Sequence, residues 1–479
     1  MLQSSSYRHV ASIGIVIGLL CTVGDALAQT SATSGSSATA SDALVMGDWR
    51  FQPNLELRTQ TEYRNRPFDT GGAEVPANFS TVPTQDVNDI VDDQWWALSR
   101  ARLGLSAERG PLRAVVELQD ARAWGDPSPA RLDTRNSLPT TEARQAFFEV
   151  RGSGQRASFF RLGRQEIVWG DGRLLGASDW SPTGRTLDAV RGQWTLGAFD
   201  LEGFASVLIA PGAMPPEVQR GAGTDPEGAG AQLHGLKLAW HIAPLLHLES
   251  NNLVRIVRQP TDDLIEPSDL YVVGLRVWGE YPGLSYAVEG AYELGRTAVI
   301  EATRDRRAYA AAARARWEPG LPWNLAFGIA GAYASGQADG DENITRFDPV
   351  LPDVRMGLGA MGLYAWSNLI EGAGLVHASP WEDTEITLGY RYVAMPRPGD
   401  AWQTAALAPV GRAVGNEDAA LGQELDASFK FTPWAPVDFV AGYGAFLTGE
   451  GGKNVLESSG RGRPDMQHYG YLQLTMRAP

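Results

Sequence analysis

A chain of 479 residues with a formal net charge of −15 argues against a nucleic-acid partner, and a single cysteine, Cys21, excludes a disulfide framework. Hydrophobic residues make up an ordinary 43%, but 54 glycines, 15 tryptophans and 14 tyrosines are many for a helical protein. Glycine at turns and aromatics at two interfaces are what a transmembrane β-barrel uses.

Arg8 and His9 precede an apolar run from Val10 to Val23, and Ala26-Leu27-Ala28 follows ahead of Gln29. These are the parts of a secretory signal peptide. The run is shorter than the about 20 residues of a spanning helix, and bulky Leu20 before Cys21 speaks against lipidation. The expectation is a cleaved signal peptide over 1–28, a disordered Ser/Thr/Ala/Gly leader over 29–45, and one domain over 46–479, because no linker-like stretch divides the rest. The long uncharged runs Gly320 to Ala338 and Met356 to Ile370 are too rich in Gly, Asn and Ser for spanning helices.

Period two dominates the chain. Ala101, Leu103 and Leu105 alternate with Arg100, Arg102 and Gly104; after Gly110-Pro111, Leu112, Ala114, Val116 and Leu118 alternate with Arg113, Val115, Glu117 and Gln119. Ala146, Phe148 and Val150 alternate in the same way with Gln145, Glu149 and Arg151. Connection length alternates as well. With a first strand from Trp49 to Arg64, long loops are expected at Asn65 to Asp92, Arg122 to Thr141, Glu166 to Arg185, Ala210 to Ala231, Gln259 to Ser268, Gly295 to Arg304, Ala334 to about Leu369, Met395 to Ala420 and Gly449 to Gln467. Between them fall tight turns at Gly110, Gly152-Ser153-Gly154, Leu196-Gly197-Ala198, Ala243-Pro244, Tyr281-Pro282-Gly283, Glu318 to Pro322, Ser379-Pro380 and Pro433 to Pro436. The reading is all-β: a transmembrane antiparallel barrel of about 18 strands, with short periplasmic turns and long external loops. A soluble all-β protein is the alternative, but it has no reason to segregate loop length so strictly.

Catalytic and metal motifs are missing. His234, His241, His247, His377 and His468 are scattered, no nucleophile elbow is found, and Asp339-Gly340-Asp341 lacks the rest of a Ca²⁺ loop and reads as a solvated turn. No cofactor is implied.

The stretch from Arg161 to Arg191 contains Gly163-Arg164-Gln165, Gly170-Asp171-Gly172-Arg173, Trp180-Ser181 and Arg185-Thr186-Leu187-Asp188. In order and spacing it resembles the alginate-export family of outer-membrane porins. Ala334-Ser335-Gly336, Phe347-Asp348-Pro349, Trp366-Ser367-Asn368, Glu424-Leu425-Asp426 and Gly442-Tyr443 extend the resemblance over nearly the whole chain after the leader. It implies an 18-stranded single-chain barrel that exports an anionic exopolysaccharide. The final Met476-Arg477-Ala478-Pro479 departs from the terminal aromatic usual in barrel-assembly signals.

With apolar residues turned outward, the lumen receives Arg100, Arg102, Arg113, Arg151, Arg255, Arg276, Arg306, Arg314, Arg316, Arg391 and Lys430, beside Glu117, Glu149, Glu249, Glu289, Glu293 and Asp426. Arginine suits a uronate chain because its planar fork meets a carboxylate with two hydrogen bonds; equally, these arginines could simply pair with the acids. The loop from Glu166 to Arg185, with apolar Val168, Trp169, Leu174, Leu175 and Trp180, is expected to fold into the mouth as a constriction. Arg164, Arg173, Asp179, Arg185 and Asp188 would join the substrate-contacting set. The expected partners are outer-membrane lipid, an anionic polysaccharide and periplasmic secretion proteins, with the barrel itself a monomer. The competing functions are a general or small-solute outer-membrane porin, and a barrel enzyme, which the missing nucleophile and base disfavour.

Overall fold

A computed structural model describes residues 43–65, 93–125, 140–152, 158–209, 230–258, 268–299, 302–355 and 357–478. After a three-residue strand β1 (Leu44–Met46) come β2 (Trp49–Asn65), β3 (Asp93–Arg109), β4 (Leu112–Gly125), β5 (Thr140–Arg151), β6 (Phe159–Gln165), β7 (Leu187–Leu196), β8 (Phe199–Ile209), β9 (Ala231–Ala243), β10 (Leu246–Val257) and β11 (Ser268–Tyr281). There follow β12 (Leu284–Val299), β13 (Ala302–Leu321), β14 (Leu325–Ala334), β15 (Leu369–Ala378), β16 (Thr384–Ala394), a small hairpin of β17 (Trp402–Gln403) and β18 (Pro409–Gly411), then β19 (Ala420–Trp434), β20 (Val437–Thr448), a helix α1 (Glu450–Ser458) and β21 (Met466–Ala478). Apart from β1 and the hairpin, these strands form a closed antiparallel barrel of 18. Closure is direct: β21 returns to β2 with Leu55 opposite Ala478 and Asn65 opposite His468.

Among the described connections, 110–111, 197–198, 244–245, 282–283, 322–324, 379–383 and 435–436 lie at one end, while 166–186, 335–368, 395–419 and 449–465 lie at the other. Asp339, Gly399 and Gly451 are all on this second, long-loop end. Ser153 and Gly154 lie outside the described residues. One expected loop is replaced by sheet: between Gly295 and Arg304, Gly295 pairs with Arg306, Thr297 with Arg304 and Val299 with Ala302. The stretch stays in the sheet by continuous cross-strand pairing, which β-branched Thr297 and Thr303 favour.

The wall is inverted relative to a soluble protein. Leu103, Leu105, Val116, Leu118, Leu275 and Ile329 are exposed on its outside, whereas Gln60, Glu117, Gln119, Asn251, Glu293 and Glu424 are buried inside. This is the alternation of a barrel standing in lipid. Exposed Trp194, Trp240, Tyr281, Trp317 and Trp434 ring the short-turn end, and Trp95, Trp124, Tyr271, Tyr309 and Tyr443 ring the other.

The apolar core sits inside the barrel and is built largely by loops. Ile167, Trp169, Leu174 and Leu175 enter from 166–186; Phe347, Val350, Met361, Leu363, Tyr364 and Trp366 from 335–368; Met395, Trp402 and Val410 from 395–419; Val455 and Leu456 from α1. They meet a stretch of wall made of Ala291, Ala308, Ala310, Ala312, Ala332 and Ala334. Side chains this small leave the width that inserted loops need.

Candidate functional site

The loop 166–186 crosses the lumen from its roots on β6 and β7. Its entry depends on Gly163, whose φ of +127° and approach to Ala146 leave no room for a side chain: an added Cβ would lie 2.2 Å from the Ala146 oxygen. This gives the first glycine of the family-like block a physical reason.

Once inside, the loop is held by carboxylate–arginine contacts on two separate stretches of wall. Toward β2 and β3, Asp179 Oδ1 lies 3.1 Å from Arg100 Nη1 and 2.8 Å from Arg102 Nη1, and Arg58 is 3.9 Å away. Arg58 also donates to the carbonyls of Asp179 (2.6 Å), Trp180 (2.9 Å) and Ser181 (3.0 Å). Glu56 pairs with Arg100, while Arg144 pairs with Glu117 (2.8 Å) and with Glu166. Toward β11 and β13, Asp171 accepts from Arg276 Nη2 at 2.7 Å and from Arg314 Nε and Nη2 at 2.7 and 3.0 Å.

Burial works to raise both aspartates, but the arginine charges outweigh it. Asp179 is held at about 2 by Arg100, Arg102 and Arg58, and Asp171 lies below the usual carboxylate range through Arg314 and Arg276.

A second loop, 335–368, locks against the first. Gly176 N donates to Leu351 O at 2.9 Å, Leu351 N to Leu174 O at 3.1 Å, and Asp353 N to Gly172 O at 2.8 Å. A Cβ on Gly176 would lie 2.6 Å from that of Asp353, so the two backbones touch where only glycine fits. Wall arginines grip this loop as well: Arg255 pairs with Asp348, and Arg306 Nη1 donates to Arg346 O at 2.9 Å. Asp348 is driven up by burial and down, further, by Arg255 and Arg306, to about 2. Trp366 Nε1 donates to Tyr333 O at 3.0 Å and Ser367 Oγ to Phe347 O at 2.7 Å, so the Phe-Asp-Pro and Trp-Ser-Asn motifs hold this loop in place.

The comparisons decide the family. The model for alginate export matches residues 70–212 and 253–461. The chain belongs to the alginate-export family. No curated protein matched it in sequence. Similar solved barrels include OccAB4 of Acinetobacter baumannii (10% identity, TM-score 0.55, covering 89% of this chain and 98% of that one). A BenF-like porin of Pseudomonas fluorescens Pf-5 (9%, 0.54, 89% and 98%) and OccK8 (OprE) of Pseudomonas aeruginosa (10%, 0.53, 90% and 98%) are further examples. At such identities they establish the fold, which is that of outer-membrane porins. Family and fold are those of a channel.

Within this alginate-export barrel, the expected site residues separate into groups. Arg100 and Arg102 meet the loop at Asp179, and Arg314 meets it separately at Asp171. Arg185 does not offer its charge to the passage: Nη1 donates to the carbonyls of Gly176 (2.9 Å), Leu351 (2.8 Å) and Pro352 (2.9 Å), pinning the two loops to each other. Arg173 is buried beneath the loops, 4.0 Å from Glu289 and over the Trp366 ring. Arg391 is buried in the wall against Glu371 (2.8 Å) and Asp426 (3.5 Å).

Arg164 and Asp188 are corrections to the expected lumen set. They sit opposite each other on the parity of exposed Leu162 and Val190, facing outward, and Arg164 forks onto Asp188 at 2.8 and 2.7 Å. A bidentate pair at a strand end lets two charges stand on the outer wall beside the rim. Arg113, Arg151 and Arg316 lie by the short-turn mouth, paired with Glu108, Glu149 and Glu318.

Arg58, Arg144 and the loop 335–368 are site components that the alternation reading missed. In β2, Arg58, Gln60, Glu62 and Arg64 alternate with Thr59, Thr61 and Tyr63, so both faces look polar. Near Arg144 a register shift between Glu117 and Leu118 breaks the parity.

Proposed function

We propose that this barrel passes an acidic, uronate-type polysaccharide outward across the outer membrane, and that the polymer opens the passage by competing for the arginines that hold the crossing loop. The observation that carries the reading is the pair of arginine sets already occupied by loop carboxylates, Asp179 on one and Asp171 on the other. A uronate presents the same carboxylate to the same forks. Because each loop aspartate returns when the polymer's carboxylate leaves, contacts are exchanged and never accumulated, as conduction requires. The family match supports a polysaccharide cargo. On this reading the chain is exported by a cleaved signal peptide, its long loops face outside a Gram-negative cell, and it stands as a monomer among outer-membrane lipids, receiving polymer from periplasmic secretion proteins.

A second reading, a porin for small anionic solutes, is favoured by the interlocking of 166–186 with 335–368, which narrows the passage, and by the likeness to solved porins. Planar-bilayer recordings with uronate oligomers of increasing length separate the two. Polymer export predicts current blockades whose duration grows with chain length, with neutral polymers of equal size inert. Blockades by monomers and dimers alone favour the small-solute porin, and equal response to neutral polymers contradicts both.

A further inference from the structure

Near the short-turn mouth, four neighbouring strands present a row of inward side chains that the passage of anions does not use. Asp200 on β8, His241 on β9, His247 on β10 and Trp278 on β11 follow one another around the wall, with His247 opposite both His241 and Trp278 in register. Thr195 donates its hydroxyl to Asp200 Oδ1 at 2.7 Å, and Asp200 Oδ2 lies 2.8 Å from His241 Nε2. His241 Nδ1 is 2.9 Å from His247 Nδ1. The His247 ring stacks on Trp278, with centroids 3.9 Å apart and planes 17° from parallel.

A carboxylate only accepts, so His241 Nε2 carries a hydrogen toward Asp200, and the contact between the two Nδ1 atoms holds one hydrogen that either ring can donate. We infer that these two Nδ1 atoms form a binding site for a borderline divalent ion, Cu²⁺ or Ni²⁺, taken as adjacent ligands. Two nitrogens each about 2.0–2.1 Å from an ion and at right angles stand about 2.9 Å apart, whereas a tetrahedral ion sets them about 3.3 Å apart. Right-angled nitrogen and oxygen ligands are the preference of Cu²⁺ and Ni²⁺.

The Asp200 contact supplies the outer support such a ligand usually has, a carboxylate on the imidazole's far nitrogen, and Thr195 holds Asp200 in turn. On binding, the ion takes the place of the hydrogen between the two Nδ1 atoms; each imidazole then binds as a neutral ring with its hydrogen on Nε2, and any surplus proton goes to solvent. Among the described residues no group of three or more His, Cys, Asp or Glu could hold a metal. The remaining positions therefore go to water or to a carboxylate of a passing solute, which makes the ion exchangeable.

The test uses the full barrel in detergent, carrying a histidine-free tag and stripped with chelator, titrated with CuCl₂. Electron paramagnetic resonance should show one Cu²⁺ per barrel with two nitrogen ligands, and tryptophan emission should be partly quenched. His241→Gln and His247→Gln should each abolish the two-nitrogen signature. Asp200→Asn should weaken binding roughly ten- to a hundredfold while both imidazoles remain, and Trp278→Phe should bind Cu²⁺ with less quenching. No bound Cu²⁺, an unchanged signature in both histidine variants, or an unaltered affinity in a folded Asp200→Asn barrel would each overturn the assignment. Should a histidine variant fail to assemble, the Asp200→Asn result decides.

Discussion

The two ends of the crossing loop are held by the same chemistry with opposite faces turned to water. At the β2–β3 wall the arginines are hidden, with side chains 1% (Arg100) and 7% (Arg102) exposed, and Asp179 is the open partner at 53%. At the β11–β13 wall Asp171 is covered at 16% and Arg314 is open at 47%. A solute entering the lumen thus meets an acid on one side and a base on the other. The first end is the stronger clamp, since Arg58 also binds three consecutive loop carbonyls and Arg355 lies 3.5 Å above the Trp180 ring. At the second, Trp169, Leu174 and Leu175 are buried, and Trp169 Nε1 donates to Glu202 at 2.7 Å. Charge fixes one end; apolar packing with a single aspartate fixes the other.

Reversing the stronger clamp should have the largest effect. Arg100→Glu with Arg102→Glu places two acids beside Asp179 and Glu56, and should expel that end of the loop, raise conductance and turn anion preference toward cations. The barrel should still assemble, because both positions face the lumen, whereas a charge facing lipid costs about 2–4 kcal/mol near mid-membrane. Reversal potentials in a salt gradient and heat-modifiable mobility check the two halves of this statement. Loss of assembly would mean the wall's polarity is misassigned.

Next in size is Asp179→Asn, which removes the open acid and leaves its arginines charged. Anion preference should increase and uronate oligomers should block for longer. Asp171→Asn should shift selectivity in the same direction but less, because Arg314 is already open there. Equal shifts from the two substitutions would erase the contrast between the ends.

The smallest effect is with pH. Asp179 is held at about 2, below its ordinary 3.8, so its contribution is fully present above about 4 and disappears as pH falls through about 2. The difference in selectivity between the parent and Asp179→Asn should therefore stay constant on acidification from pH 7 to pH 4. A step between pH 5 and 4 that vanishes in Asp179→Asn would show that the arginines do not hold this carboxylate.

Strand number, the polar inward face and the inward fold of 166–186 were legible because a period of two and alternating loop length are written locally, and because Trp169, Leu174 and Leu175 need cover; Val168, read with them, stays exposed. What stayed hidden was long-range. Arg185 looks like a site charge in sequence, yet its donors go to carbonyls more than 160 residues away in the second loop. Arg164 and Asp188 fall in a family-like block and their charge suggested the lumen, yet both continue the outward parity of Leu162 and Val190, where they meet only across the strand pair. The loop 335–368 carries no period at all, and its place in the lumen is set by long-range partners: Arg255 on Asp348, Arg306 on the Arg346 carbonyl, and the alanine wall opposite.

The most direct test of the crossing loop as the constriction is the single-channel conductance of a barrel in which Val168 to Gly184 is replaced by a short Gly/Ser turn. Strand pairing closes the sheet without this segment, so the variant should fold. Its conductance should rise several-fold and its discrimination for anions should fall. An assembled variant with the parent's conductance and selectivity would contradict the account and leave the passage to be narrowed by 335–368 alone.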